Sequence, residues 1–162
     1  MAIEHDAEVW TYFYLMYGTN PQYHRHYAGL LTWAHRLKGN FLWCYAEYHT
    51  WEGNRSGANY NYVLPSKNGP VPSIAWEARR EGIEDYLYIH LLDRALSAGG
   101  VEEERARAGR KLIADFCDLY ETQTDHAYLG DRRKGWLVSA ADARLSEAYR
   151  RQLAAEILHW QE

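Results

Sequence analysis

Two aromatic, apolar runs separated by a single helix-length segment constrain this chain more than any other feature. Residues 8–17 read EVWTYFYLMY and residues 41–48 read FLWCYAEY. Both are rich in β-formers and lack helical spacing. Gly18-Thr19-Asn20-Pro21 breaks the first run. Asn20 suits an N-cap, and Pro21 suits the first helical position, where its missing N–H costs no hydrogen bond. Tyr27, Leu30, Leu31, Ala34 and Leu37 then recur at helical spacing, and Gly39 is expected to end the helix. Strand, helix and strand within about forty residues make a βαβ unit, and therefore a parallel pair.

Such a pair is incomplete by itself. Both outer edges are unpaired, and a two-stranded sheet alone is marginal in water. Strands this apolar expect further strands beside them and helices outside. The chain therefore reads as the end of a larger α/β architecture. Residues 49–72 form a long irregular stretch with Gly53, Gly57, Gly69, Pro65, Pro70 and Pro72, and long loops in compact domains are usually functional. Ser73 is placed to cap a third helical segment with Ile74, Ala78, Ile83, Leu87 and Leu91 as its stripe and Gly99-Gly100 as its stop. A further helix is expected from Glu102 to Glu121, with Leu112, Ile113, Phe116 and Tyr120 on its apolar face. The last begins near Ser139, where Ser139 and Asp142 resemble a capping box. Its stripe is Leu145, Tyr149, Leu153, Ile157 and Trp160.

Charge and composition exclude several functions. The net charge of −4 offers no basic face for nucleic acid and no attraction to an anionic membrane. No apolar run approaches the ~20 residues of a membrane span, and MAIEHDAEVW has neither the basic nor the apolar region of a signal peptide. Cys44 and Cys117 lie far apart, and no set of histidines has metal-ligand spacing. No metal and no cofactor is expected. Seven Trp and fourteen Tyr stand against three Phe, a bias toward rings with an apolar face and a polar tip, which suits a wet binding surface.

One segment carries a resemblance. GPVPSIAWEARREGIEDYLYIHLL, from Gly69 to Leu92, resembles the C-terminal part of the glycoside hydrolase family 123-like catalytic domains. Trp10 and Tyr12, Trp33, Gly39-Asn40-Phe41-Leu42-Trp43, Leu64-Pro65-Ser66 and RRQLAAEIL from Arg150 to Leu158 match further pieces of that pattern. Leu64, Ser66 and Ala75 depart from it, where the family usually has Tyr, Gly and Arg.

The resemblance implies an α/β fold: the C-terminal segment of a (β/α)8 TIM-type barrel. Residues 1–100 would be its last two βα units and residues 101–162 a C-terminal helical extension. It also implies action on glycans with β-linked N-acetylhexosamine by substrate-assisted, N-acetylgalactosaminidase-like hydrolysis. The family's catalytic Asp-Glu pair would lie upstream of Met1, so no catalytic residue is assigned to this chain. Ligands bind such barrels at the C-terminal ends of the strands, which selects Tyr14, Trp43, Tyr45, Glu47 and Trp51 as substrate-binding residues. The partners implied are a glycan substrate and an upstream barrel half, or self-association through the open strand edges. A typical parent would be extracytoplasmic or secreted. The rival readings are a non-catalytic carbohydrate-binding or interaction module and an inactive barrel fragment. Glu84-Asp85 is the conspicuous acidic pair, but adjacent helical side chains diverge by about 100°. An ion pair of Glu84 with Arg80 is the expected use.

Overall fold

A computed structural model describes residues 8–13, 21–42, 62–64, 66–100, 102–123 and 140–159. The chain separates into two compact units, Met1–Gly82 and Ile83–Glu162.

The first unit contains the expected parallel pair. Strand β1 (Trp10–Phe13) runs beside β2 (Gly39–Leu42), with Trp10 opposite Gly39 and Tyr12 opposite Phe41. The crossover comprises α1 (Pro21–His26), a π-helical turn at Tyr27–Leu31 and α2 (Thr32–Ala34). Within the wide turn the Thr32 hydroxyl donates to the Tyr27 carbonyl at 3.0 Å. The helix stops earlier than Gly39. Arg36 takes a left-handed φ of 52°, and the Leu37 N–H bonds to the Thr32 carbonyl at 2.9 Å. Gly39 instead opens β2 and makes room for an indole: a Cβ there would lie 2.1 Å from a Trp10 ring carbon. Part of the stretch taken as irregular forms an antiparallel pair, β3 (Val63–Leu64) with β4 (Val71–Pro72). The Gly69 N–H donates to the Ser66 carbonyl, and the Ser66 hydroxyl donates back to the Gly69 carbonyl at 2.6 Å.

These elements overturn the barrel. Among the described residues each sheet has two strands, and the remaining regular structure is helical. A (β/α)8 barrel needs one continuous ladder of parallel strands. Here β1 and β2 pair with each other, and β3–β4 forms a separate antiparallel sheet.

Helix α3 (Ile74–Ala98) begins as expected, with the Ser73 hydroxyl accepting the Trp76 N–H at 3.3 Å. It stops at Gly99-Gly100, both at positive φ. Its buried face is not the expected one. Ala75, Ala78, Gly82, Asp85, Ile89, Leu92 and Leu96 are buried, at alternating spacings of three and four, while Ile74, Ile83, Leu87 and Leu91 are exposed. Over the first turns of α3 the buried positions are the small residues Ala75, Ala78 and Gly82, because a close contact there favours small side chains, and Ile89, Leu92 and Leu96 continue the same face. A Cβ on Gly82 would stand 2.1 Å from the Arg25 carbonyl oxygen.

In the second unit α4 (Glu103–Gln123) and α5 (Ala140–His159) pack together. The core there includes Ile89, Leu92, Phe116 and Leu153, with Phe116 stacked on Tyr149 at 5.2 Å. Leu145, expected on the buried stripe of α5, is exposed. Asp85, only 1% exposed, accepts a hydrogen bond from Arg150 Nε at 2.7 Å. Glu84 and Glu147 face the same guanidinium at 3.7 and 3.9 Å. Glu84-Asp85 thus serves an ion-pair network, and Arg80 pairs with Glu77 and Glu81.

Two outcomes follow from this packing. In an open helix Gly→Ala gains about 1 kcal/mol. At Gly82 the methyl meets backbone, so Gly82→Ala should lower stability by about 1–3 kcal/mol in urea unfolding; a more stable variant refutes the close approach. Asp85→Ala removes the short hydrogen bond to Arg150 and leaves Glu84 and Glu147 as its remaining carboxylates; it should cost about 1–3 kcal/mol, read as accelerated amide exchange in α5.

Candidate functional site

The two faces of the β1–β2 pair differ. In a parallel pair, residues in register point to the same side, and neighbours along a strand alternate. Trp10, Tyr12 and Phe41 therefore share one face, with Gly39 beside Trp10. That face is open: the three rings are 51%, 54% and 55% exposed. Trp10 stacks on Phe41 with centroids 5.2 Å apart and planes 18° from parallel, and its indole N–H donates to Glu8 at 3.4 Å. Parallel sheets are ordinarily covered on both faces. An uncovered aromatic platform is a departure from that rule.

Asn40 points to the other face, where polar groups from four segments converge. The Asn40 amide donates to the Thr32 hydroxyl at 2.7 Å, and Arg79 Nη2 donates to both the side-chain and backbone carbonyls of Asn40. The Tyr27 hydroxyl donates to the Phe41 carbonyl at 3.3 Å. His24 Nδ1 lies 2.7 Å from the Tyr62 hydroxyl, and their rings meet edge-on. His24, Tyr27, Thr32 and Tyr62 are buried. Helix α1 positions His24, the π-helical turn Tyr27, the approach to β3 Tyr62, and α3 Arg79.

The electrostatics follow from burial. It lowers His24 to about 4, and the charge of Arg79 pushes in the same direction. Burial raises the Tyr62 and Tyr27 phenols and lowers the Arg79 guanidinium. A general acid or base works best with a pKa near the operating pH. A neutral imidazole of low basicity beside a phenol made less acidic is poorly matched to proton transfer at pH 7. The cluster is suited to holding hydrogen bonds in place. Among the described residues no group of His, Cys, Asp and Glu could hold a metal ion. No described helix is long and apolar enough to cross a membrane.

Tyr14, Trp43, Tyr45, Glu47 and Trp51, selected from the sequence, lie outside the described residues. The residues gathered at the sheet include three that sequence reasoning gave no site role: Asn40, Tyr62 and Arg79. Asn40 and Arg79 stand 39 positions apart, a separation that carries no local pattern. The available signal was the residue alternation along β1 and β2, which already sets Trp10 and Tyr12 apart from Thr11. Compared with known proteins, the chain matches no family model, no curated protein and no solved structure.

The His24 environment makes stability depend on pH. Between pH 6.5 and about 4 the unfolded chain takes up a proton that buried His24 refuses. The unfolded state binds more protons there, so stability is full above pH 6.5 and falls as pH drops through this window. The loss attached to this group is on the order of 3 kcal/mol. Denaturant titrations at several pH values should show it in the wild type and lack it in His24→Gln; equal slopes in both proteins exclude His24 as the source.

Proposed function

We propose that this chain is a glycan-binding segment, taking carbohydrate that bears β-linked N-acetylhexosamine on the face formed by Trp10, Tyr12 and Phe41. The observation that carries the reading is that face. Three aromatic side chains lie in register on one side of a parallel pair, each about half exposed, with Gly39 admitting the indole. A pyranose presents an apolar C–H face and a rim of hydroxyls, so it matches rings that combine a flat apolar surface with a polar edge. The indole N–H and the Tyr12 phenol supply that edge, and Glu8 adds a carboxylate beside Trp10.

The resemblance of Gly69–Leu92 to glycoside hydrolase domains supports the same ligand class. The part proposed for this chain is binding, the non-catalytic alternative. The low basicity of His24 argues against acid–base work at the buried cluster. The ion pairing of Glu84 and Asp85 with Arg150 argues against that pair as a catalytic dyad.

Saturation-transfer NMR with methyl β-N-acetylgalactosaminide and with β-linked N-acetylglucosamine oligomers tests the reading. Transfer should concentrate on protons of the apolar pyranose face. Trp10→Ala should weaken binding roughly tenfold, equivalent to about 1.4 kcal/mol, with little effect on stability because the ring is already half exposed. Gly39→Ala should weaken it similarly, since the added methyl must displace the indole from Phe41. Absence of transfer in the wild type, or equal transfer in Trp10→Ala, removes this face as the glycan site.

A further inference from the structure

We propose that Arg79 anchors a binding site for a small oxyanion (a carboxylate, sulfate or phosphate) on the helix-covered side of the β1–β2 pair. The proposal rests on an unmatched guanidinium. Arginine presents five N–H donors in a rigid fork and keeps its charge. Arg79 Nη2 spends its hydrogen bonds on the two carbonyl oxygens of Asn40. Nη1 is buried and has no hydrogen-bond acceptor. Among the described residues no carboxylate forms an ion pair with Arg79.

A second part-covered guanidinium, that of Arg150, shows what is missing. Arg150 faces three carboxylates, those of Asp85, Glu84 and Glu147. Around Arg79 stand groups that bring no compensating negative charge: the Asn40 amide, the Tyr27 and Tyr62 phenols and His24. A buried charge left without a counterion is costly, and proteins pair such charges. The neighbours are hydrogen-bonding but neutral, so they tolerate an anion without repelling it. The free Nη1 offers two N–H donors to its oxygens, and charge-assisted bonds of this kind are the strong ones. Arg79 as a whole is half-buried rather than sealed. This site stands apart from the glycan reading: Asn40 and the Trp10–Tyr12–Phe41 platform occupy opposite faces of the pair.

The test uses the full chain, with sodium phosphate, sodium sulfate and sodium acetate titrated against sodium chloride at matched ionic strength. In the wild type the Arg79 side-chain N–H resonances should shift saturably with an oxyanion and not with chloride. The melting midpoint should rise in parallel. Response to acetate alone identifies a carboxylate ligand, and response to sulfate and phosphate a tetrahedral one; either supports the site. Arg79→Gln removes the uncompensated charge. It should melt no lower than the wild type in chloride and should lose the saturable response, keeping only the general salt effect. Arg79→Lys keeps the charge without the fork and should bind at least tenfold more weakly. Wild-type Arg79 resonances that stay unmoved by all three anions overturn the proposal, whether or not the variants fold. An identical midpoint response in wild type and Arg79→Gln overturns it as well.

Discussion

The approach of α3 to the chain at Arg25 is the contact on which the rest of the first unit depends. Gly82 has no side chain, and its α-carbon comes so close to the Arg25 carbonyl that any larger residue would collide with backbone. Small residues on the same face, Ala75 and Ala78, are buried with it. Tyr62, Val63 and Ala75 pack as one small core, and the Ser73 N–H bonds to the Tyr62 carbonyl at 2.8 Å. This close seating puts Arg79, one turn before Gly82, within hydrogen-bond reach of Asn40 on β2. Along the same face, further down the helix, Asp85 meets Arg150 in the second unit. One heptad-like stripe thus places Arg79 beside Asn40 and Asp85 beside Arg150.

Those two guanidinium groups are handled differently. Arg150 is balanced by carboxylates, and its network is structural: it ties α3 to α5 with charge that is already compensated. Arg79 is surrounded by neutral hydrogen-bonding groups, and its positive charge reaches His24 strongly enough to assist burial in keeping that imidazole neutral. The π-helical turn at Tyr27–Leu31 belongs to the same construction, since it carries the tyrosine that bonds β2 and precedes the threonine that bonds Asn40. Wide turns of this kind interrupt the regular hydrogen-bond ladder and are frequent at functional sites.

The two proposed binding roles fall on opposite sides of one small sheet. The covered side is polar and ordered by hydrogen bonds, with an unsatisfied cationic donor. The open side is aromatic and exposed. The proposed ligand, with an apolar face and a polar rim, suits exposed Trp, Tyr and Phe side chains grouped on one face.

Much of the local structure was legible in the residues. Pro21 at a helix start, Ser73 as a cap and Gly99-Gly100 as a stop all act through nearest-neighbour backbone physics, and each holds. The parallel pairing of β1 with β2 followed from run lengths and one intervening helix. Two things did not follow. The barrel was an extrapolation from incomplete strand edges and a motif resemblance, but what a strand pairs with is decided by the whole chain. The stripe of α3 was misread because Ile83, Leu87 and Leu91 offer a second apolar row at helical spacing, while the packed face runs through Ala75, Ala78, Gly82 and Asp85 before reaching Ile89, Leu92 and Leu96. Hydrophobicity is a property of each residue, whereas closeness of approach is a property of two elements together. The sequence by itself determined where α3 starts and stops, that two aromatic strands run parallel and which residue types are available for binding. Tertiary structure alone decided that Asn40 and Arg79 meet, that no carboxylate among the described residues pairs with Arg79 and that the aromatic face stays open, because those outcomes depend on packing between segments remote in the chain.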